Sequence, residues 1–582
     1  IFLDFQGQVD TSATNGQIGS LLLDPANIEV VAAGGTETNL ENVDFFNDGN
    51  SAPGSITTID AGLLNNAPTN ITLQATEDIT FNADVNIVTP NVGLTADANN
   101  NITVNSDITT SGGDVTLTAN SDGIDAGAIA LNNSAINTQG GNFTLSGQGS
   151  SDILNNGVFI SGSTLAVGIG DITLTGTGQD SATSVAGAGV RIENSSLEAT
   201  TGNIIITGIG ANGTNENHGV AINSGASIET ANGTLSIVGS AGNVSGNNNH
   251  GVDIIGENTL VQTTGTGELE IIGTGGDGTF QNRGVLIASQ ATVRAGVTGL
   301  SIQGTGGGTG NDSEGIAIQD GVTVQTINNG DLTLRGFGSN FGLGGNGNQG
   351  VLIFNQAGTS PLNVNTDGGD LLIEGTGGGR LFGNSGIFIS DTGPGLTVST
   401  TGNGTLTIIG TGTTGGTSDN RGVTIAGSSL PNSQIAIRTQ NGQLSFNGQG
   451  GEGTEGNQDG IAINRNVTVE SVGDGSVNLV GTAGNGSDGN HGIDTELGVE
   501  FRTTTGDLSL VGTGNGRGTD NAGIQALGVT IETTSGGDID LQGNSIGNPT
   551  SDNFGTQLGL GSVVRATNGN LTIQGDGKGA EP

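Results

Sequence analysis

Histidine, the side chain best suited to acid–base or metal chemistry near neutral pH, occurs three times in this chain, each time in the same setting. It sits between an asparagine and a glycine, as NHG, at His218, His250 and His491. On successive turns of a repeat, His218 and His250 would lie about 5 Å apart, near enough for a shared metal or a proton-transfer pair. The same position elsewhere carries Arg283, Glu314, Gln349, Ser385, Arg421 and Asp459. Such a spread of chemistry reads as an exposed edge. Carboxylates also gather in two loops, GGTGNDSE at residues 307–314 and GQGGEGTEGNQD at residues 448–459. Asp312, Glu314 and Asp459 are weak metal candidates there, since calcium takes hard oxygen ligands. Solvated loop is the plainer reading, so no catalytic, cofactor or metal site is assigned and calcium is the one ion kept in view.

These residues must be positioned by something, and the sequence says what. Residues 219–239, GVAINSGASIETANGTLSIVG, read as three short strands separated by tight turns. Val220 and Ile222 alternate in the first, Ile228 and Thr230 in the second, Leu235 and Ile237 in the third. Ser224-Gly225 and Asn232-Gly233 turn the backbone at low steric cost. The unit then repeats. Leu73, Leu94 and Leu117 anchor shorter early repeats, and an L-x-G or I-x-G signature runs from Gly147 to Gly575. Its thirteen intervals cover 428 residues, a mean of about 33. A second column of glycines opens the first strand, from Gly157 to Gly555, and the residue two before it is asparagine in ten of thirteen repeats. These are Asn155, Asn217, Asn249, Asn282, Asn348, Asn384, Asn420, Asn490, Asn521 and Asn553. A third column pairs an aliphatic with threonine, as at Val324/Thr326 and Ile437/Thr439.

Three strands per turn with matched aliphatics define an all-β fold, a parallel β-helix in which each coil hydrogen-bonds to the next. The crossover rule for parallel strands makes it right-handed. The anchors count about 17 coils, a rod of about 80 Å at ~4.8 Å per coil. The asparagines would then stack as a buried amide ladder, and the long loops would leave one edge just before it. Residues 1–65 are a less regular β segment with a turn or short helix near Ile59–Leu64. Residues 66–148 form short coils, and 149–582 long coils with inserted loops.

Composition narrows the function. Glycine makes up 113 of 582 residues, about 19 per cent against an ordinary 7 per cent or so. With 55 acidic and 12 basic residues the formal charge is −43, which disfavours nucleic acid and anionic membrane surfaces. Cysteine is absent, so there is no disulfide, thiolate site or cysteine nucleophile. No run approaches a membrane span. The chain opens strand-like on IFLDFQG without Met or a leader, and is read as a piece of a longer protein.

Particular stretches carry a resemblance. GQIGSLLLDPANIEVV, DITFNADVNI, NNNITVNSDITTSGGDVTLTA and INTQGGNFTLSGQG resemble the shafts of filamentous-haemagglutinin-like large exoproteins of the cyanobacterial type, exported by two-partner secretion. The resemblance is most specific over residues 16–149. It implies a secreted or surface-held right-handed β-helix of adhesive role, with an outer-membrane transporter as partner during export. Other cell-surface or matrix components, carbohydrate among them, would be the later partners, and lateral or end-to-end self-association is compatible. The export domain and any effector module of that family are not recognisable here.

The expectation is therefore a non-enzymatic structural or adhesive shaft. Two alternatives stand beside it: a polysaccharide lyase or hydrolase on a β-helix, and a calcium-loaded surface-layer-like protein. For the first, NTD at residues 365–367 echoes one motif of pectin-degrading β-helices, but the paired-Asp, GHG and RIK partners do not occur. Outward threonine would suggest ice binding, yet the threonine column here is placed inward.

Overall fold

A computed structural model of the protein describes residues 20–23, 26–33, 56–123, 126–150, 155–180, 186–242, 246–339, 345–356, 360–430, 432–547 and 553–578. The chain divides into two units, residues 1–243 with 258–268, and residues 244–257 with 269–582. Both are built the same way, as a parallel β-solenoid with three strands to a turn, and together they hold about 16 turns. The winding agrees with the right-handed crossover expected of parallel strands.

In each turn a strand of sheet B comes first, then sheet C, then sheet A. In unit 1, Val190–Glu193, Ser196–Ala199 and Ile204–Ile209 make one turn. The next turn stacks on it residue for residue: Ile192 opposite Ile222, Leu197 opposite Ile228, Ile206 opposite Ile237. Unit 2 repeats the scheme, with Ile287 opposite Ile318, Val293 opposite Val324 and Ile302 opposite Leu334. Alternation sends these side chains inward, where all are fully buried. Each contributes about 1.5–3 kcal/mol by leaving water. The core is a column of stacked aliphatics, because every turn presents the same pattern to the next.

The corner between sheets A and B explains two glycine columns at once. A Cβ on Gly304, at the end of a sheet A strand, would collide with the carbonyl of Gly315, which opens the following sheet B strand. A Cβ on Gly315 would in turn meet the amide of Phe337, at the far end of the turn that Gly315 opens. Backbone packs on backbone there, so no side chain fits. The corner between sheets C and A is held by threonine. Thr326, Thr366, Thr400 and Thr439 are buried and donate to the carbonyls of Gly330, Gly369, Gly404 and Gly442.

One turn departs from the scheme. In the turn that contains Leu73, the place of the sheet C strand is taken by a short helix, Ala61–Asn65, capped by the Asp60 carboxylate on the Gly62 amide at 2.8 Å. Asn65 accepts from the amide of Asn86, in the first sheet C strand, at 2.6 Å. Sheet C accordingly has 16 strands among the described residues, one fewer than the 17 anchors counted along the sequence. Most of the rest of residues 1–65 lies outside the described residues.

Candidate functional site

Most of the buried asparagines and buried ionisable side chains gather at the corner where the long loops enter sheet B. The residue three before the opening glycine takes a left-handed backbone in turn after turn: Glu216, Asn248, Gln281, Asp312, Asp419, Asn457 and Asp520 have φ of 52–60°. Asparagine and aspartate tolerate that region better than most residues. The presence of Asp312 at this position is therefore explained by turn chemistry.

The asparagine column follows. In unit 2 each side-chain Oδ1 accepts the backbone N–H of the same position one turn earlier: Asn282 from Asn249, Asn384 from Asn348, Asn420 from Asn384, Asn521 from Asn490, Asn553 from Asn521, at 2.9–3.2 Å. Ser313 joins the run, accepting from Asn282 and donating its own N–H to Asn348. The carbonyls of this column are taken by the loop of the following turn, as in Gly276 N–H to Asn249 and Gly378 N–H to Asn348. Side-chain amides reach loop carbonyls as well, Asn348 to Gly310 and Asn384 to Gly345. Buried amides left unmatched would cost heavily, and this arrangement matches most of them. In unit 1, Asn217 accepts from the amide of Gly187. Asn155 stands apart. It is half-buried with φ 63°, and its neighbour Asn156 is the fully buried one, accepting from Ala188 at 2.9 Å.

The next position, that of the histidines, corrects the expectation of an exposed edge. His218, His250, Arg283, Glu314, Ser385, Asp459 and His491 are all buried. The loops that hydrogen-bond onto the asparagine carbonyls pass over this corner. The ring nitrogen Nδ1 of His250 accepts the N–H of Arg283 at 3.3 Å, and that of His491 accepts the N–H of Ala522 at 3.1 Å. Asp459 does the same with Oδ1, from the N–H of His491 at 2.8 Å. These side chains form a second acceptor ladder beside the first.

Their charges are matched between neighbouring turns. Arg283 Nε lies 2.6 Å from Glu314 Oε2. Arg421 holds Asp459 at 2.8 Å and Asp419 at 2.9 Å. Two of the three metal candidates, Glu314 and Asp459, are thus bound by the protein's own guanidinium groups. Among the described residues no three His, Asp or Glu side chains are placed to hold a metal. Nor does the structure gather the motif at residues 365–367. Thr366 points inward to its glycine carbonyl, while Asp367 accepts from the Thr401 hydroxyl at 2.9 Å.

Burial, helped by the positive charge of Arg191, lowers the His218 pKa to about 3. The ring is neutral at any ordinary pH. Burial opposes the Arg421 charge, but Asp459 and Asp419 outweigh it and raise its pKa. Burial pushes Asp312 upward, with Glu314 adding to the effect and Arg283 opposing it. The strongest case is Asp494, raised well above the usual carboxylate range by burial, then by the charges of Asp459 and Glu496, with Arg421 opposing and Asp520 adding. Its Oδ1 is buried without a hydrogen-bond partner.

A pH effect follows from Asp494. Its folded pKa is above the unfolded one, so its contribution is most favourable at acid pH and is lost as pH rises through the folded value. Asp494→Asn should therefore stabilise unit 2 more at pH 8 than at pH 5. Urea melts at the two pH values test this, and an equal gain at both would show that the carboxyl carries no such penalty.

A scan against protein-family models finds no match, and a comparison with curated proteins finds none. Among the described residues no helix is long and apolar enough to cross a membrane.

The opposite charges one repeat apart, Arg283 then Glu314 and Arg421 then Asp459, were the available sequence signal for the buried column. Variation there is pairwise and complementary, which a solvated edge does not require.

Proposed function

We propose that this chain is a structural and adhesive shaft of a secreted or cell-surface exoprotein, without catalytic activity. One observation carries the reading. The ionisable side chains that would be catalytic candidates, His250, Asp459 and His491, spend their acceptor atoms on the backbone of the next turn. Catalysis needs groups free to meet a substrate in one pocket. Here they hold one coil to another.

Charge supports the partner class. At least seven of the 12 basic residues are held in ion pairs with carboxylates: Arg191, Arg283, Arg335, Arg421, Arg438, Arg502 and Arg565. With 55 acidic residues against those 12, carboxylates far outnumber the cations that could pair with them. Neutral glycans and basic matrix components suit that balance; nucleic acid does not. A polar groove of about 350 Å³, lined by Asn432, Ser433, Gln434, Asn466, Thr468, Gly498 and Glu500, has the hydrogen-bonding character for weak sugar contact. Weak contacts gain strength by repetition along a shaft. Export through an outer-membrane transporter, and the absence of any cofactor requirement, belong to the same reading.

The purified chain should release no oligosaccharide from pectin, alginate or other acidic glycans, with or without calcium. Reproducible release that Asp367→Asn or Asp459→Asn abolishes, in a variant that keeps its β-sheet circular dichroism, would replace the shaft with the enzyme reading.

A further inference from the structure

In unit 2 the connection from sheet B to sheet C is two residues long where Arg465 and Asn466 join Ile461–Asn464 to Val467–Ser471. In the turn before it, eight residues, 427–434, separate Val423–Ala426 from Ile435–Thr439. This longer connection overhangs the corner and is tied down on both sides. The buried Ser433 hydroxyl donates to the Asp391 carbonyl at 2.9 Å, and the Asn466 side chain donates to the Ser428 carbonyl at 2.6 Å. One turn beyond Asn466 the corner steps back. Asn464 is opposite Glu496 and Thr468 opposite Glu500, so Gly498 holds the place of Asn466. Both take a left-handed backbone, with φ of 51° for Asn466 and 81° for Gly498. A Cβ on Gly498 would meet nothing closer than Asn466 Oδ1 at 3.7 Å, so room for a side chain is left open there. The groove of about 350 Å³ lies between the overhang and this step.

Its lining is polar and holds no arginine, lysine or histidine. The amides of Asn432 and Gln434 and the hydroxyl of Thr468 have no hydrogen-bond partner among the described residues. Glu500 turns one oxygen, Oε2, to Arg502 at 3.3 Å, and Arg502 also holds Glu532 at 3.1 Å. The other Glu500 oxygen has no partner among the described residues. The lining comes from three successive turns, a length of about 10 Å at the spacing of parallel strands.

We propose that this groove is a subsite for a neutral sugar unit of a glycan chain, selected by Asn432, Gln434, Thr468 and Glu500. Three features fix that class. A sugar hydroxyl both donates and accepts, and so does a side-chain amide, whereas a carboxylate only accepts. Adjacent ring hydroxyls therefore satisfy amides and carboxylate together. A uronate would bring its own carboxylate against Glu500, with no cation in the lining to receive it, and like charges brought together oppose binding. An amine would find the Glu500 charge already shared with Arg502. The inference rests on the adhesive reading and gives it a ligand class and a place on the shaft.

The test is saturation-transfer difference NMR on the full chain, titrated with maltohexaose, laminarihexaose, xylohexaose, hexagalacturonate and hexalysine. At least one of the neutral oligosaccharides should bind saturably, with a dissociation constant on the order of 1 mM, and hexagalacturonate should not bind. Gly498→Asn rebuilds the side chain that Asn466 carries one turn earlier, in a backbone conformation that asparagine tolerates. It should weaken the binding about tenfold with circular dichroism unchanged. Gln434→Ala, an exposed substitution, should weaken it about threefold. Glu500→Gln should let hexagalacturonate bind. The proposal is overturned by no saturable binding of any neutral probe, or by hexalysine bound in place of sugar. Exclusion of hexagalacturonate that survives Glu500→Gln overturns it too. Affinity that neither Gly498→Asn nor Gln434→Ala moves would place the glycan elsewhere on the shaft, overturning the groove and leaving the adhesive reading standing. Release of shorter oligosaccharide from any probe would overturn the adhesive reading itself.

Discussion

Arg283→Met is expected to destabilise unit 2 by about 3–5 kcal/mol, because it strands a buried carboxylate. The Glu314 side chain is 3 per cent exposed and Arg283 is 7 per cent exposed, so water cannot replace the lost partner. The intact pair need not be worth that much. Its attraction is offset by the cost of taking both charges out of water. The double variant Arg283→Met with Glu314→Leu should therefore recover most of the loss. The measurement is a urea series followed by circular dichroism, with hydrogen exchange across residues 283–318 to localise the change. A single-variant loss within the range of exposed pairs, below about 1 kcal/mol, would mean that the corner is wetter than its geometry implies.

Asn521→Leu is the second large effect. The Asn521 side chain accepts from the Asn490 amide at 3.0 Å and the Asn490 side chain at 2.8 Å, and donates to Gly518 and Asn553. Leucine satisfies none of these, and each buried group left unmatched costs about 1–3 kcal/mol. Asn521→Ser is the informative control, because Ser313 already fills this place in another turn and accepts the Asn282 amide at 3.2 Å. Its loss should be nearer 1 kcal/mol. Exchange at the Asn490 amide should rise steeply in the leucine variant and modestly in the serine variant. Equal effects of the two would mean that side-chain volume, not the acceptor, decides stability here.

The fold was legible wherever the chain alternates. Ile222, Ile228 and Ile237 announce their strands by period and stack as their spacing requires. The inward threonines were legible for the same reason. What failed was the corner. At residues 217–219 the backbone is not extended strand, so alternation no longer says which side a side chain takes. The histidine column was placed outside on the strength of its variety, while burial there is set by loops whose hydrogen bonds no period reveals. Asn155 and Asn156 show the same limit at one-residue scale: two adjacent asparagines, and only the structure says which is buried. The count of turns came through, but the helix in the Leu73 turn shows that the anchors report turns and not strands, since a five-residue helix stands in for a strand without disturbing the spacing of leucine anchors.

The asparagine ladder also has a direction. Every link in unit 2 runs from the backbone of one turn to the side chain of the next, so a turn is held by the one that follows it in sequence. Peeling from the carboxy-terminal side therefore exposes a fresh orphaned amide at each step, whereas peeling from the other side leaves only spare acceptors. Gln458 interrupts this run: its amide turns to the carbonyls of Thr417 and Gly456, and its Oε1 is buried without a hydrogen-bond partner. The ladder is thus two ratchets in series, Asn249 to Asn420 and Gln458 to Asn553. Under mechanical load, tearing that starts beyond Asn553 would reach an unmade rung between residues 420 and 458, where the side-chain ladder stops and the Arg421–Asp459 ion pair beside it bridges the same two turns.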